Sequence, residues 1–333
     1  TVMKFTAPDA QSFEDSIALC ENLIKKWQDH PLIVPAIAPH AVYTCTPDVL
    51  TSVVELANKY NARVHFHVSE TKDEVENLRR ETGLPVVPYI RKFGMLETKL
   101  TAAHCVWLDE GEIRTLKSAS VGIAHNPTSN LKLASGFSPV ARMMELGCNV
   151  GVGTDGPASN NDLDMFEEIR LANLVAKNVA GDPTVLPARQ TLAMATIIGA
   201  KALHLDDIIG SLEPGKRADL ILVDISPIHN QPRFRRDPKG IYAQLIYASK
   251  STDVTDTMVN GRWLMRNREL LTLDEQQLIS EARQIAARID EFLKGREESV
   301  YSKLIAIGGA AEEESFEVQV KVKVENIAPV LDA

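Results

Sequence analysis

A cluster of histidine and glutamate side chains follows a short apolar run in the first quarter of the sequence. His65 and His67 are two residues apart, so they share one face of a β-strand, and Glu70 comes just after that strand. Neutral imidazole is the commonest side-chain ligand for a divalent metal, and a nearby carboxylate can move protons for an activated water. The same cluster can also arise in a core or on a surface without a function, so further residues are needed.

Two later segments supply such residues, each at the end of an apolar run. His104 lies in Thr101–Cys105, and Asp155 lies in the glycine-rich segment Gly151–Gly156. Asp155 could instead cap the segment Thr154–Asn161, and His104 could be a buried structural histidine. Taken together, the three segments indicate a metal-dependent hydrolytic site.

The first half of the chain alternates short apolar runs with longer amphipathic stretches, which is typical of β/α units around a parallel sheet. Pro47–Tyr60 and Lys72–Phe93 are long enough to form helices between neighbouring strands. Five strands are predicted, at Leu32–Ala38, Arg63–Val68, Leu100–Val106, Ser120–Ala124 and Asn149–Gly153.

The polar side chains favour a (β/α)8 TIM-like barrel over an open, doubly wound sheet. Five of them lie at or just past the ends of the predicted strands: His40, His67, His104, His125 and Asp155. In a barrel these ends converge on one mouth, whereas an open sheet spreads them along an edge. Because the barrel needs eight strands, we expect its first strands to precede Thr1 and the chain to be the C-terminal part of a longer protein.

The second half of the chain does not continue the alternation of strands and helices. Two helices are predicted, one at Met165–Leu171 with its cap in Asn160–Asp162 and one at Thr191–Leu205. A buried strand is predicted at Ala218–Asp224, and a hairpin is predicted at Asp253–Met265 with its turn at Asn260–Arg262. We therefore divide the chain into the barrel portion (1–207), a small β-sandwich segment (208–268), a solvent-facing helix (269–305) and an extension (306–333). The alternating run Ser315–Glu325 predicts an edge strand, a strand for another chain or an unrelated extension.

Composition limits the possible partners. The net charge of −9 and the scattered 36 Lys and Arg argue against nucleic acid, and the apolar runs are too short for a membrane span. The four cysteines form no C-x-x-C pair, so we expect a cytoplasmic protein without a disulfide framework. The missing pair also excludes the cytidine type of zinc deaminase.

Four motifs in this order resemble the amidohydrolase superfamily, and in particular its 5-methylthioadenosine/S-adenosylhomocysteine deaminases. They are His-Val-Ser-Glu-Thr at 67–71, Ala-His-Cys at 103–105, His-Asn-Pro-Thr-Ser-Asn-Leu-Lys-Leu at 125–133 and Gly-Thr-Asp-Gly-Pro-Ala-Ser-Asn-Asn at 153–161. The resemblance covers about His30 to Arg268, and it includes Gly-Lys-Arg-Ala-Asp-Leu at 215–220.

The resemblance implies a hydrolytic deaminase that acts on a small nucleoside and uses one divalent metal ion, Zn²⁺ or alternatively Fe²⁺. It implies that His67 and Asp155 ligate the metal and that Asp155 also takes a proton from the attacking water. Glu70 would protonate the purine ring, and His104 would orient the water and stabilise the tetrahedral intermediate. His40 would contact the sugar side of the substrate.

Two other histidines match no ligand of the family. His65 is interpreted as a packing residue, and His125 is predicted to hold the loop to Leu133 through hydrogen bonds. The family's upstream His-x-His pair, which supplies two further ligands, has no match before His65. His67 and Asp155 alone are fewer than the three protein ligands of a catalytic zinc, so we expect these 333 residues to bind metal poorly on their own.

Three functions stay open on the sequence. The first is deamination of an adenosine derivative, and the second is another amidohydrolase reaction, on a chlorotriazine or on guanine or cytosine. The third is an inactive barrel with a binding role. A homo-oligomer is compatible with each of them.

Overall fold

The computed structural model of the protein describes residues 2–5, 10–234, 236 and 239–306, which fall into two units. The first unit ends at Thr272 and holds two sheets, and the second begins at Leu273 and holds one described helix. All four cysteines lie in the first unit, and all are buried and form no disulfide. Among the described helices, none is long and apolar enough to cross a membrane.

A five-stranded parallel sheet forms the centre of the first unit, with its strands in sequence order. Helices connect the successive strands, which is the α/β arrangement of a TIM-like barrel. The elements are α1 (Phe13–Trp27), β1 (Ala36–Ile37), α2 (Pro47–Tyr60), β2 (Arg63–Val68), α3 (Lys72–Thr82), α4 (Val86–Arg91), β3 (Lys99–His104), α5 (Glu110–Ser118), β4 (Gly122–His125), α6 (Pro127–Lys132), α7 (Val140–Glu145) and β5 (Asn149–Val152).

All five predicted strands are present, and only the first differs much in length. The sequence predicted Leu32–Ala38, but β1 contains only Ala36–Ile37. Pro35 has no N–H to donate, so the ladder cannot extend toward Leu32, which is exposed.

The two faces of β2 differ, because one packs into the hydrophobic core and the other carries the candidate site residue His67. Val64, Phe66 and Val68 are buried under the helices, whereas Arg63, His65 and His67 point to the opposite face and are half-buried. On β3, the register brings Ala103 beside His67. The small side chain leaves space next to the imidazole at the carboxyl end of the sheet.

Helix boundaries follow local capping chemistry. The predicted helix at Pro47–Tyr60 is α2, capped by the Thr46 hydroxyl, which accepts from the Val49 N–H. The single predicted stretch Lys72–Phe93 contains two helices, because Gly83 ends α3 in the left-handed conformation and Pro85 precedes α4.

Five more α-helices follow β5 in the described part of the first unit, and two predictions made for this region were wrong. They are α8 (Pro157–Asn160), α9 (Met165–Ala180), α10 (Ala188–Met194), α11 (Ile197–Ala202) and, further along the chain, α12 (Gly240–Tyr247). The cap of α9 is Asp164 rather than Asn160–Asp162, because its carboxylate accepts from the Phe166 and Glu167 N–H groups. The helix predicted at Thr191–Leu205 is divided in two by the non-helical backbone of Thr196.

α11 packs closely against the inner face of the sheet. A Cβ added at Gly122 would lie 1.8 Å from the Ala202 carbonyl oxygen, and one at Gly151 would lie 2.9 Å from the Gly199 Cα. The Thr101 hydroxyl donates to the same Ala202 carbonyl at 2.8 Å. The glycines therefore permit a contact that any side chain would prevent.

A four-stranded antiparallel sheet forms the predicted small β-domain, with strands β6 (Leu220–Val223), β7 (Val254–Val259), β8 (Arg262–Arg266) and β9 (Glu269–Leu270). The predicted turn is present, with positive φ at Asn260 and Gly261. The prediction of a buried strand was wrong, because β6 is an edge strand on which Ile221 and Leu222 are each 49% exposed. The boundary at residue 208, between the barrel portion and the β-sandwich segment, stays a prediction.

The second unit contains α13 (Glu275–Ala306), which lies where the solvent-facing helix was expected. Its described side chains, through Phe292, are exposed, as the sequence predicted. The Asp274 carboxylate accepts from the Gln277 N–H and caps the first turn. The alternating run at Ser315–Glu325 lies outside the described residues.

Candidate metal centre and active site

His67 is the last inward-facing residue of β2. Its ring Nδ1 lies 2.6 Å from the backbone oxygen of His40, and its backbone N–H donates to the same oxygen at 3.1 Å. A carbonyl oxygen only accepts, so Nδ1 carries the proton and Nε2 keeps its lone pair. The segment after β1 therefore orients the His67 imidazole as a ligand.

His104 ends β3 and is almost fully buried. Its Nδ1 lies 2.8 Å from Oδ1 of Asn130, which leaves Nε2 directed away from that partner. The rings of His67 and His104 are stacked, with centroids 5.3 Å apart. His104 and the following Cys105 both have positive φ, a conformation that costs free energy in non-glycine residues and clusters at functional sites.

Asp155 follows β5 and has a left-handed backbone with φ of 61°. One carboxylate oxygen accepts from the Ser129 hydroxyl at 2.7 Å, and the other accepts from the Gly156 N–H at 2.7 Å. Burial acts to raise the pKa of Asp155, but these two hydrogen bonds and the nearby histidines hold it below its ordinary value. The side chain is thus a fixed carboxylate.

The three residues converge on one point. One potential ligand atom from each of His67, His104 and Asp155 lies within 4.8 Å of the others, and this is the metal-compatible cluster among the described residues. Two imidazole nitrogens with free lone pairs and one ionised carboxylate match the donor set of a divalent transition metal. The residues therefore fit a divalent metal ion, and the geometry adds His104 to the two predicted ligands.

Glu70 lies beside this cluster, and its side chain is 17% exposed. One carboxylate oxygen is 3.8 Å from Nε2 of His104, and the other accepts from the Ser135 hydroxyl at 3.4 Å. The Glu70 backbone N–H donates to Oε2 of Glu74 at 2.7 Å. Glu70 is therefore a partly solvent-accessible carboxylate held next to the metal-compatible cluster.

His40 lies on the other side of His67. Its ring centroid is 5.0 Å from that of His67 and 5.6 Å from that of Tyr43, and its Nδ1 lies 2.8 Å from the Thr44 hydroxyl. Burial lowers the pKa of His40, and the proximity of His67 lowers it further. His40 is thus a neutral donor or acceptor at the edge of the site, and a contact with substrate stays a prediction.

His65 and His125 lie outside the cluster. His65 occupies the same face of β2 as His67 but lies deeper in the sheet, near Arg63 and His204, whose charges add to the effect of burial in lowering its pKa. For His125 the predicted hydrogen bonds were wrong, because neither ring nitrogen has a hydrogen-bond partner among the described residues. The ring lies on the buried, helix-facing side of β4, where burial lowers its pKa to about 3.

Ser129 and Asn130 anchor two residues of the site. Both are fully or almost fully buried in α6, and they hold Asp155 and His104 respectively. Both lie within the motif at 125–133, and the sequence predicted no role for either of them. Two polar residues side by side at the start of a short helix were the available signal, because buried polar groups require partners.

Comparison with known proteins places this geometry in a family. The model of the amidohydrolase family matches residues 1–264. A 5-methylthioadenosine/S-adenosylhomocysteine deaminase of Thermodesulfovibrio yellowstonii is 42% identical over 288 residues, covering 86% of this chain and 64% of that protein. A 5'-deoxyadenosine deaminase of Methanosarcina acetivorans is 43% identical over 271 residues, covering 81% and 61%.

A solved structure gives the same answer for the fold. The adenosine deaminase of Xanthomonas campestris with bound zinc superimposes with a TM-score of 0.84 at 40% identity, covering 87% of this chain and 65% of that one. The chain thus spans a little under two thirds of the length of these relatives. By the matched family model and by this fold, the chain belongs to the amidohydrolase family.

Proposed function

We propose that this chain carries the catalytic centre of a metal-dependent hydrolytic deaminase of adenosine derivatives, with methylthioadenosine or S-adenosylhomocysteine as substrate. The observation that carries the proposal is the meeting of His67, His104 and Asp155 within 4.8 Å, with the Glu70 carboxylate 3.8 Å from His104. The substrate class rests on the relatives, whose names specify adenosine-type nucleosides.

Zinc is the proposed metal, and iron is the alternative. The donor set of two imidazoles and one carboxylate suits Zn²⁺, and the related Xanthomonas structure contains zinc. When bound, such an ion makes water acidic enough to supply hydroxide at neutral pH. His67 and Asp155 are the proposed ligands, and His104 completes the three protein donors or orients the attacking water.

The residues divide the proton transfers of the reaction between them. Water adds to C6 of the purine, and the amino group leaves as ammonia with the proton that Asp155 has taken from the water, while the proton of the new hydroxyl returns to Glu70. Asp155, held in its ionised form by Ser129 and Gly156, takes a proton from the attacking water. Glu70 delivers a proton to the ring nitrogen, so that the aromatic ring can accept the new bond, and His104 stabilises the charge that develops on the oxygen.

His40 is the proposed contact to the sugar side of the substrate. It borders His67 on the side away from His104, and burial keeps its ring neutral. A neutral imidazole can donate to, or accept from, a ribose hydroxyl. The reducing cytoplasm is the proposed location, since none of the four buried cysteines forms a disulfide.

An ammonia-release screen with zinc-loaded protein tests the proposal. The panel contains methylthioadenosine, S-adenosylhomocysteine, adenosine, guanine, cytosine and an aminotriazine, with chloride release measured for a chlorotriazine. We expect turnover of the thioether nucleosides and loss of that turnover in Asp155→Asn. Turnover of guanine, cytosine or a triazine alone would replace the proposed substrate, and binding of a nucleoside without any turnover would support a binding role instead.

A further inference from the structure

Glu74 is a buried carboxyl group that the proposed chemistry does not use. It is the third residue of α3 and is 5% exposed. Its Oε2 accepts from the Glu70 N–H at 2.7 Å, whereas Oε1 is buried with no hydrogen-bond partner among the described residues. Burial raises the pKa of this carboxyl to about 7. Burying a carboxyl group with one unpaired oxygen costs free energy, which suggests that Glu74 has a role that offsets this cost.

The contact of Glu74 with Glu70 extends helix capping to the residue before the N-cap. At the start of α5, the equivalent residue Glu112 accepts from the N–H of its own N-cap residue, Asp109, and completes a capping box. At the start of α3 the N-cap residue is Thr71, whose hydroxyl accepts from the Glu74 N–H. The Glu74 carboxylate also accepts from the N–H of the residue before the N-cap, Glu70, and the Thr71 and Ser69 backbones lie close enough to lower its pKa.

The loop is also fixed on its other side. Ser69 is fully buried and has a left-handed backbone with φ of 51°. Its carbonyl oxygen accepts from the N–H groups of Val106 and Trp107, at 3.0 and 2.9 Å. Glu70 therefore directly follows a strained residue, Ser69, which is anchored to the segment after β3. The contact with Glu74 then determines where the Glu70 backbone lies.

From these contacts we propose that Glu74 is a positioning residue, which holds the Glu70 backbone so that the Glu70 carboxylate stays next to His104. The inference rests on the proposed function, because it assigns Glu74 a role in the proton transfer made by Glu70. Displacement of a reacting group by about 1 Å can reduce turnover by roughly 100-fold. Among the described residues, the one side-chain hydrogen bond of Glu70 is the 3.4 Å contact with the Ser135 hydroxyl, so the position of its carboxylate beside His104 depends on the backbone anchor.

Three variants of the zinc-loaded full chain test the proposal. Glu74→Met fills the site without an acceptor, Glu74→Gln keeps an acceptor oxygen, and Glu112→Met removes the matched buried glutamate of α5. We expect Glu74→Met to lower kcat by roughly 10- to 100-fold while KM changes by less than about 3-fold. Glu74→Gln and Glu112→Met should retain kcat. Equal kcat in the two Met variants, or a change confined to KM, would overturn the proposal.

Hydrogen exchange at the Glu70 amide gives a second readout that does not depend on activity. We expect this amide to exchange faster in Glu74→Met than in the wild type, Glu74→Gln or Glu112→Met. Unchanged exchange would also overturn the proposal. If Glu74→Met does not fold, Glu74→Asp, which draws the carboxylate back, should show the same loss of kcat and of protection. A wild type inactive on every nucleoside would count against the proposed function, and the exchange comparison would still test the anchor.

Discussion

The ring Nδ1 and the backbone N–H of His67 both donate to the carbonyl oxygen of His40, at 2.6 and 3.1 Å. The segment after β1 thus determines which nitrogen of the imidazole on β2 faces the centre of the site. Since this acceptor is a backbone atom, no side-chain substitution at position 40 removes it. Substitutions at His40 therefore test its contact with substrate separately from the orientation of His67.

Metal affinity should depend on the three converging residues and not on the neighbouring histidine. His67→Ala, His104→Ala and Asp155→Asn each remove one donor of the cluster. We expect each to weaken Zn²⁺ binding by more than the roughly 10- to 100-fold that loss of a supporting hydrogen bond costs. Competition with a chromophoric chelator measures the change. His65→Ala is the control on the same strand, and a loss of affinity there as large as in His67→Ala would contradict the assignment.

Asn130 should matter through the orientation of His104. Its Oδ1 is the partner of the His104 Nδ1, at 2.8 Å. We expect Asn130→Ala to reduce kcat by roughly 10- to 100-fold, because the ring is no longer held in one tautomer and orientation. Asn173→Ala removes an equally buried asparagine that bonds Leu186 and Thr191 instead. If both variants keep wild-type kcat at equal metal content, the Asn130 contact has no role in turnover.

Glu74 should make stability depend on pH. Its pKa rises from 4.5 to about 7 on folding, so the folded chain binds this proton more tightly than the unfolded chain. The resulting stabilisation is fully present below pH 4.5 and is lost as the pH rises through about 7. The difference between the unfolded and folded pKa values of Glu74 corresponds to about 3 kcal/mol in the free energy of unfolding.

Glu74→Gln does not titrate and should remove this dependence. Between about pH 5 and pH 8, the free energy of unfolding should therefore fall less in the variant than in the wild type, by up to about 3 kcal/mol. Urea denaturation at several pH values measures the difference. Glu81→Gln, at an exposed position of the same helix, should follow the wild type. Parallel curves for wild type and Glu74→Gln would mean that the carboxyl titrates normally.

The close contact between α11 and the sheet predicts a severe effect of a single methyl group. A Cβ at Gly122 would lie 1.8 Å from the Ala202 carbonyl oxygen, which is backbone and cannot move independently of α11. We expect Gly122→Ala to destabilise the protein by more than the about 1–3 kcal/mol of ordinary overpacking. Gly156→Ala, with nothing within 4 Å, is the control. Thermal unfolding measures both, and equal midpoints would show that α11 does not pack as described.

The sequence was sufficient for the strands and for the residues at their ends, because strand periodicity and the convergence of parallel strands are local or simple rules. His67, His104 and Asp155 could be selected in this way. The sequence did not reveal that ligand atoms of these three residues lie within 4.8 Å of one another, since that distance depends on the register between β2, β3 and β5. The family resemblance implied that His104 orients water, and the structure adds it to the side chains that can hold a metal ion.

The supporting residues could not be assigned from sequence for a similar reason. His125 attracts notice as a histidine at a strand end, but its ring lies on the helix-facing side of β4 and bonds nothing among the described residues. Ser129 and Asn130 carry no unusual chemistry, and they act only because α6 directs them toward Asp155 and His104. Partners across the fold are a tertiary property that residue type and spacing do not encode.

The most direct test of the account is the kcat of Glu70→Gln for ammonia release from methylthioadenosine, at zinc content equal to that of the wild type. Glutamine keeps the shape and the backbone N–H to Glu74 but has no proton to deliver to the ring. We expect kcat to fall by roughly 100- to 10,000-fold, the range for loss of a general acid, while Glu76→Gln on the exposed face of α3 retains the wild-type value. Near-normal turnover by Glu70→Gln would contradict the proton-transfer role and, with it, the proposed mechanism.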